Sequence, residues 1–213
     1  MSDLYKTIRA TSEGYYTEKR SRFLSFAIPV RTPEEAKLQV EACRKKYYDA
    51  RHVCWAYMLG ADRTTFRSND DGEPSSTAGK PILGQINSKG LTDILVIVVR
   101  YFGGIKLGAG GLIRAYAGSV ALAIKEIGSV HIKEQLGLRL TFSYSQYQEL
   151  PNFLKAKQLQ EQDTAFTDQV QTTIFVDKDD KDSVIESLIE LFNGKIDIVE
   201  QGLRKVEVPI SLS

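Results

Sequence analysis

The stretch Ile94-Leu95-Val96-Ile97-Val98-Val99-Arg100-Tyr101-Phe102-Gly103-Gly104-Ile105-Lys106-Leu107-Gly108-Ala109-Gly110-Gly111-Leu112 decides the fold of the first half of this chain. Its first six residues are apolar and mostly β-branched, which predicts a strand buried on both faces in mid-sheet. A glycine-rich run follows. Leu112, Tyr116, Val120, Ala123 and Ile127 then recur at helical spacing, and Gly128 marks a stop. A strand that runs through glycines into a helix can hold an anion. Glycines let an anion approach the amides, and the helix start adds free N–H groups and a positive dipole end. Candidate phosphate or RNA contacts are therefore Arg100, Gly103, Gly104, Lys106, Gly108, Gly110, Gly111 and Arg114. The same glycines equally serve a tight turn and close helix–sheet packing. The run is neither a P-loop, lacking the Gly-Lys-Ser/Thr ending, nor a dinucleotide fingerprint, whose spacing and ribose-binding acid are missing.

Upstream, Tyr5 to Ala10 and Tyr15 to Val30 read as strands broken at Gly14. Thr32-Pro33-Glu34-Glu35 opens a helix with a capping box, and Ala36, Val40, Cys43 and Tyr47 form its core face. His52 to Leu59 and Thr64 to Ser68 predict a hairpin turning at Gly60-Ala61-Asp62. Pro81 opens a short helix to about Asn87. The first domain is expected over 1–133.

The second domain, 134–213, has a simpler pattern. Leu136, Leu138, Leu140 and Phe142 alternate as in a half-buried strand. Ser145 to Gln148 reads as a capping box, and Pro151 kinks the helix after it or delays its start. Ala165 to Phe166 and Val170 to Val176 predict two antiparallel strands, and Asp182 to Phe192 a helix. Ile196 to Val199 and Val206 to Ile210 supply the last strand or strand pair. The order β-α-β-β-α-β is that of a ferredoxin-like domain. The fold class is α+β in two domains.

Two further stretches carry chemistry. In the loop Ser68 to Pro81, Asp70, Asp71 and Glu73 are grouped as carboxylates that can hold Mg²⁺ or Ca²⁺ or serve acid–base catalysis, but Asp-Gly and Glu-Pro are equally turn chemistry and the spacing is not that of a calcium loop, so no cofactor or metal site is expected. Ser75, Ser76, Thr77 and Lys80 are candidate substrate-loop contacts, the hydroxyls needing a base within reach. The candidate base is His52, which the hairpin register brings near residues just past Ser68. Trp55 and Tyr57 alternate with Cys54 and Ala56, giving one aromatic face suited to base stacking or to a core.

With 42% hydrophobic and 26% charged residues, the 213-residue composition is globular. No apolar run reaches the ~18 residues of a membrane helix, and the start lacks a signal-peptide layout, so no membrane partner and a cytoplasmic location are expected. Two cysteines, Cys43 and Cys54, fit reduced buried thiols. Up to Lys133 there are 20 Lys and Arg against 13 Asp and Glu, a net of +7; beyond it 8 face 14, a net of −6. The basic half suits RNA, and the acidic half suits a basic protein partner.

The run Arg100 to Gly108 closely resembles the hallmark of the IMPACT/YigZ family. The Asp70–Pro81 loop and the His52–Tyr57 strand resemble the family's other signatures, in the same order. Ser76 stands where glycine is more usual. The resemblance implies a first domain folded like the second domain of ribosomal protein S-five. It implies a second domain similar to a C-terminal domain of elongation factor G. It further implies a translation-associated regulator that binds RNA, the ribosome or a translation factor. A metal-dependent enzyme acting on a phosphorylated small molecule or nucleotide is the alternative. The family supplies no catalytic residues to carry over.

Overall fold

The computed structural model describes residues 5–127 and 129–209. The expected helix stop at Gly128 and strand end at Ile210 lie outside the described residues, as does the side chain of Ile127. The fold is α+β, and the chain divides into two compact units at His131–Ile132.

The first unit contains β1 (Tyr5–Thr7), β2 (Ser12–Glu18), β3 (Ser21–Pro29), α1 (Pro33–Lys46), β4 (His52–Leu59), β5 (Thr65–Asn69), α2 (Gly79–Ser88), β6 (Ile94–Tyr101) and α3 (Gly108–Ile127). Its sheet has the order β2-β3-β6-β4-β5, with each neighbouring pair antiparallel. β6 lies in the centre, as its composition requires. Ile94, Val96 and Val98 face the core under α2 and α3, while Leu95, Ile97 and Val99 face the core under α1. All six are fully buried.

The helix starts follow local chemistry. Thr32 Oγ1 accepts from the Glu35 amide at 3.1 Å, and Glu35 reaches back to the Arg31 amide at 2.7 Å. α2 begins two residues before Pro81. The β4–β5 hairpin pairs Leu59 with Thr65 and Trp55 with Asn69.

The break expected at Gly14 is a correction. Gly14 lies within β2, opposite Ser25 of β3. A Cβ there would stand 2.6 Å from both the Ala123 amide nitrogen and Ser25 Oγ, so glycine lets the α3 backbone lie against the strand. Ser25 Oγ fixes that approach, donating to Ser119 O at 2.7 Å. The chain turns instead at Lys19-Arg20, both left-handed with φ of 46° and 64°.

The second unit contains β7 (Val130–Phe142), α4 (Tyr144–Tyr147), α5 (Leu150–Lys157), β8 (Glu161–Phe166), β9 (Val170–Asp177), a 3-10 turn (Lys178–Asp180), α6 (Lys181–Leu191) and β10 (Asp197–Pro209). The strands follow the order β8-β9-β7, with β10 on the other side of β7, the split βαβ arrangement. The capping box sits on Ser143 and Gln146, two residues before the expected one. Pro151 delays a helix: α4 ends at Tyr147 and α5 starts at Leu150. The last strand is continuous. Leu138, Leu140, Leu154, Ile174, Leu188 and Phe192 centre the core.

Among the described residues no helix is long and apolar enough to cross a membrane.

Candidate functional site

The three motifs meet at one end of the first unit's sheet. β4 and β6 pair His52 with Arg100, and β3 and β6 pair Phe23 with Arg100. The loop after β5 folds over that end. Asp71 and Gly72 form its tip in left-handed conformation, with φ of 43° and 81°, and the Glu73 amide donates to Asp70 O at 3.0 Å.

Each carboxylate of the loop already has partners. Asp70 caps α2 from a distance. One of its oxygens accepts from the Gly79 and Ala78 amides at 2.8 and 3.0 Å, and the other from the Ser76 amide at 2.8 Å. α2 has no side-chain cap of its own, so Asp70 supplies the acceptors and negative charge its start requires. Partial burial alone would raise the Asp70 carboxyl, but the Ser76, Gly79 and Ala78 amides outweigh it and hold the group below the usual carboxylate range. Asp71 bridges Arg44, at 2.6 Å, and the Val53 amide, at 2.7 Å.

Glu73 is buried, and its Oε1 accepts from Arg100 Nη1 at 2.6 Å and from Tyr116 Oη at 2.8 Å. Tyr116 also lies 3.2 Å from Cys54 Sγ. Burial, with Cys54 and Glu73 alongside, pushes the Tyr116 phenol far up. Burial likewise pushes the Cys54 thiol up to about 12, so Cys54 stays a protonated core residue. The half-buried Cys43 is pushed up to about 11, again by burial.

Two sequence expectations change here. Arg100 does not face an anion from solvent, because its charge is sealed against Glu73. Glu73 is not open to metal or substrate, because both of its partners are internal. Among the described residues, no three His, Cys, Asp or Glu side chains are placed to share a metal ion.

His52 does reach the loop, as the hairpin register predicts. Its Nδ1 lies 2.8 Å from Asp71 O. A carbonyl only accepts, so Nδ1 donates in this contact. Ser75 and Lys80 are exposed and Ser76 is half-buried. Thr77 is buried, donating to Pro74 O at 2.6 Å.

The glycine run divides by role. Gly103 is architectural: a Cβ there would stand 2.0 Å from Arg20 C and 2.3 Å from Ser21 N. The loop therefore lies directly on the β2–β3 turn, and the Gly103 amide donates to Ser21 Oγ at 3.2 Å. Gly104 and Gly108, with φ of 86° and 71°, have open space where a side chain would point. Gly110 meets only the far end of Arg114, at 3.6 Å, and Gly111 meets Leu107 at 3.1 Å. Gly104, Lys106, Gly108, Gly110 and Arg114 are exposed, with Phe102 and Ile105 beside them. The start of α3 thus opens to solvent, and the turn on which Gly103 sits carries the exposed cations Lys19 and Arg20. Those two cations escaped the sequence reading. A basic pair between two strand-like runs was the available signal.

Residues 19–124, which span all three motifs and the β2–β3 turn, match the family model of the Impact N-terminal domain. Residues 140–195 match a domain of unknown function, DUF1949. The IMPACT family member YvyE of Bacillus subtilis (strain 168) is 35% identical over 207 residues, covering 97% of this chain and 95% of its own. This chain belongs to the IMPACT family. The IMPACT family member YigZ of Escherichia coli (strain K12) is 45% identical over 111 residues, 51% of this chain and 54% of its own. A crystal structure of a hypothetical protein superimposes with a TM-score of 0.61 at 29% identity, over 93% of this chain and 97% of that one.

Ser76, where the resemblance leads one to expect glycine, has a backbone that suits glycine. Ser76 is left-handed, with φ of 65°, a conformation that glycine adopts at lower cost.

Proposed function

We propose that this IMPACT-family chain is a translation-associated regulator whose first unit contacts RNA, alone or on the ribosome. The contact surface is the one where the glycine run meets the β2–β3 turn. The observation that carries this reading is the seat of Gly103 on Arg20 and Ser21. It seats the Lys19–Arg20 turn against the loop that runs on through the bare backbone of Gly104 to Lys106 and Gly108. Phosphates suit that combination of flexible cations and open amides. Arg114 extends the charge into the second turn of α3. The resemblance of the first domain to one from ribosomal protein S-five, and of the second to one from elongation factor G, supports the link to translation.

The enzyme reading has less support. It needs Asp70, Asp71 and Glu73 for a metal, and those carboxylates already hold the α2 start, Arg44 with the Val53 amide, and Arg100 with Tyr116. Melting with Mg²⁺ and a nucleotide panel should leave the transition temperature unmoved, whereas a strong rise would favour the enzyme.

The test of the RNA reading is mobility shift of a single-stranded RNA, with ribosome co-sedimentation alongside. Reversing charge at Lys106 and Arg114 should weaken both. Unchanged binding in the double variant would remove this surface from the account.

A further inference from the structure

A second surface of the first unit also has the chemistry of a ligand site. α1 covers β3, β6 and part of β4, and β5 lies beyond its edge. In register, Trp55 and Tyr57 of β4 stand opposite Asn69 and Arg67 of β5, so all four side chains project to the α1 side. Between them and α1 runs an open groove of about 540 Å³, within the range of small-ligand sites. Its floor is aromatic: the rings of Trp55 and Tyr57 are parallel within 7°, with centroids 5.8 Å apart. Trp55 remains half-exposed, whereas Tyr57 is buried, so Trp55 is the ring that a ligand can reach.

The rim carries both signs of charge. Arg44 is held by Asp71, and Lys37, also on the groove's rim, lies 3.9 Å from Glu41. Arg67 is exposed and makes no ion pair among the described residues. A flat aromatic floor beside an available guanidinium fits a planar ring attached to one anionic group. Glu34 and Glu41 on the α1 wall accept hydrogen bonds from hydroxyl or exocyclic amino groups and repel additional phosphates. A duplex, with its closely spaced phosphates and stacked bases, does not match this lining. A proline-rich peptide would use the rings but leave Arg67 without a counter-charge.

We infer that this groove takes one unpaired nucleotide of single-stranded RNA, its base stacked on Trp55 and its phosphate on Arg67. The inference rests on the RNA reading above but uses a separate surface, so the two can fail separately.

Trp55 is the chain's single tryptophan, and its emission reports on the groove directly. The full chain is titrated with a fluorescently labelled single-stranded oligonucleotide, following label anisotropy and tryptophan emission in parallel. Duplex RNA, AMP and a proline-rich peptide are the other arms. Saturable quenching by the single strand is expected, with much less from duplex. Arg67→Glu should weaken the quenching by about tenfold, the order for a lost charge-assisted hydrogen bond. Lys106→Glu should lower affinity without changing the quench at saturation. Anisotropy showing RNA bound, with tryptophan emission unmoved and Arg67→Glu without effect, overturns the groove and leaves the RNA reading standing. No binding by either signal overturns both. Quenching by AMP or the peptide, but not by the RNA, overturns the assignment to RNA.

Discussion

Arg100 donates to Glu73 at 2.6 Å across 27 residues of chain, with side chains only 7% and 3% exposed. The bond ties the end of β6 to the loop after β5. Tyr116, donating to the same oxygen, adds α3. Removing one member of a buried pair leaves the other charged and unsolvated, which costs about 3–5 kcal/mol. Glu73→Ala should therefore lower stability by about that much in urea unfolding. Glu73→Leu combined with Arg100→Met should recover most of the loss. A double variant no better than the single would show that the two residues do not act as a pair.

Gly103 and Gly110 share one motif but should respond oppositely. A methyl at Gly103 collides with backbone, which cannot swing aside, so Gly103→Ala should cost about 1–3 kcal/mol. It should also weaken RNA binding, by parting the loop from Lys19 and Arg20. Gly110→Ala meets only the flexible end of Arg114 within α3 and should leave stability equal or slightly higher. Chemical denaturation of the two variants side by side checks the contrast.

Ser76→Gly should stabilise. The left-handed backbone costs a non-glycine residue about 1–2 kcal/mol, partly offset by the chain entropy that glycine loses on folding, so a gain of up to about 1 kcal/mol is expected. The rise in melting temperature is the readout, and a fall would show that the Ser76 side chain holds the loop.

Asp70 gives the first unit a definite acid dependence. Its folded carboxyl is held below the ordinary value of 3.8, so the unfolded chain takes up the proton first. Its contribution is full above 3.8 and is lost as pH falls through the lowered folded value. The melting difference between the natural chain and Asp70→Asn should stay constant from about pH 5 to 7 and shrink in stronger acid. A gap that widened in acid would show that folding raises the Asp70 carboxyl instead of lowering it.

Much of the fold was legible because its signals are local. Ile94–Val99 has no polar position, so both faces had to be covered, and α1 and the α2–α3 pair cover them. Thr32 and Glu35 announced a helix start. Gly14 misled because a strand glycine and a turn glycine look alike along the chain. What requires Gly14 is Ala123, more than a hundred residues away. The real turn uses Lys19 and Arg20, neither a usual left-handed residue. In the loop, grouped carboxylates suggested a shared metal, but spacing cannot show that each has a different internal partner. Arg100 read as a surface cation because the acid that neutralises it lies on another element.

The salt dependence of RNA binding tests the central claim most directly. Competition between cations and counterions for a single strand gives a slope of about −0.7 per phosphate contact in log affinity against log salt. Lys19, Arg20, Lys106 and Arg114 should together contribute about −2 to −3 to the slope of the natural chain, and Arg67 of the groove about −0.7 more. Arg20→Glu with Lys106→Glu should flatten it and weaken binding at low salt. A slope that is the same in the natural chain and this variant would contradict the placement of the RNA contact on the Gly103–Arg20 surface.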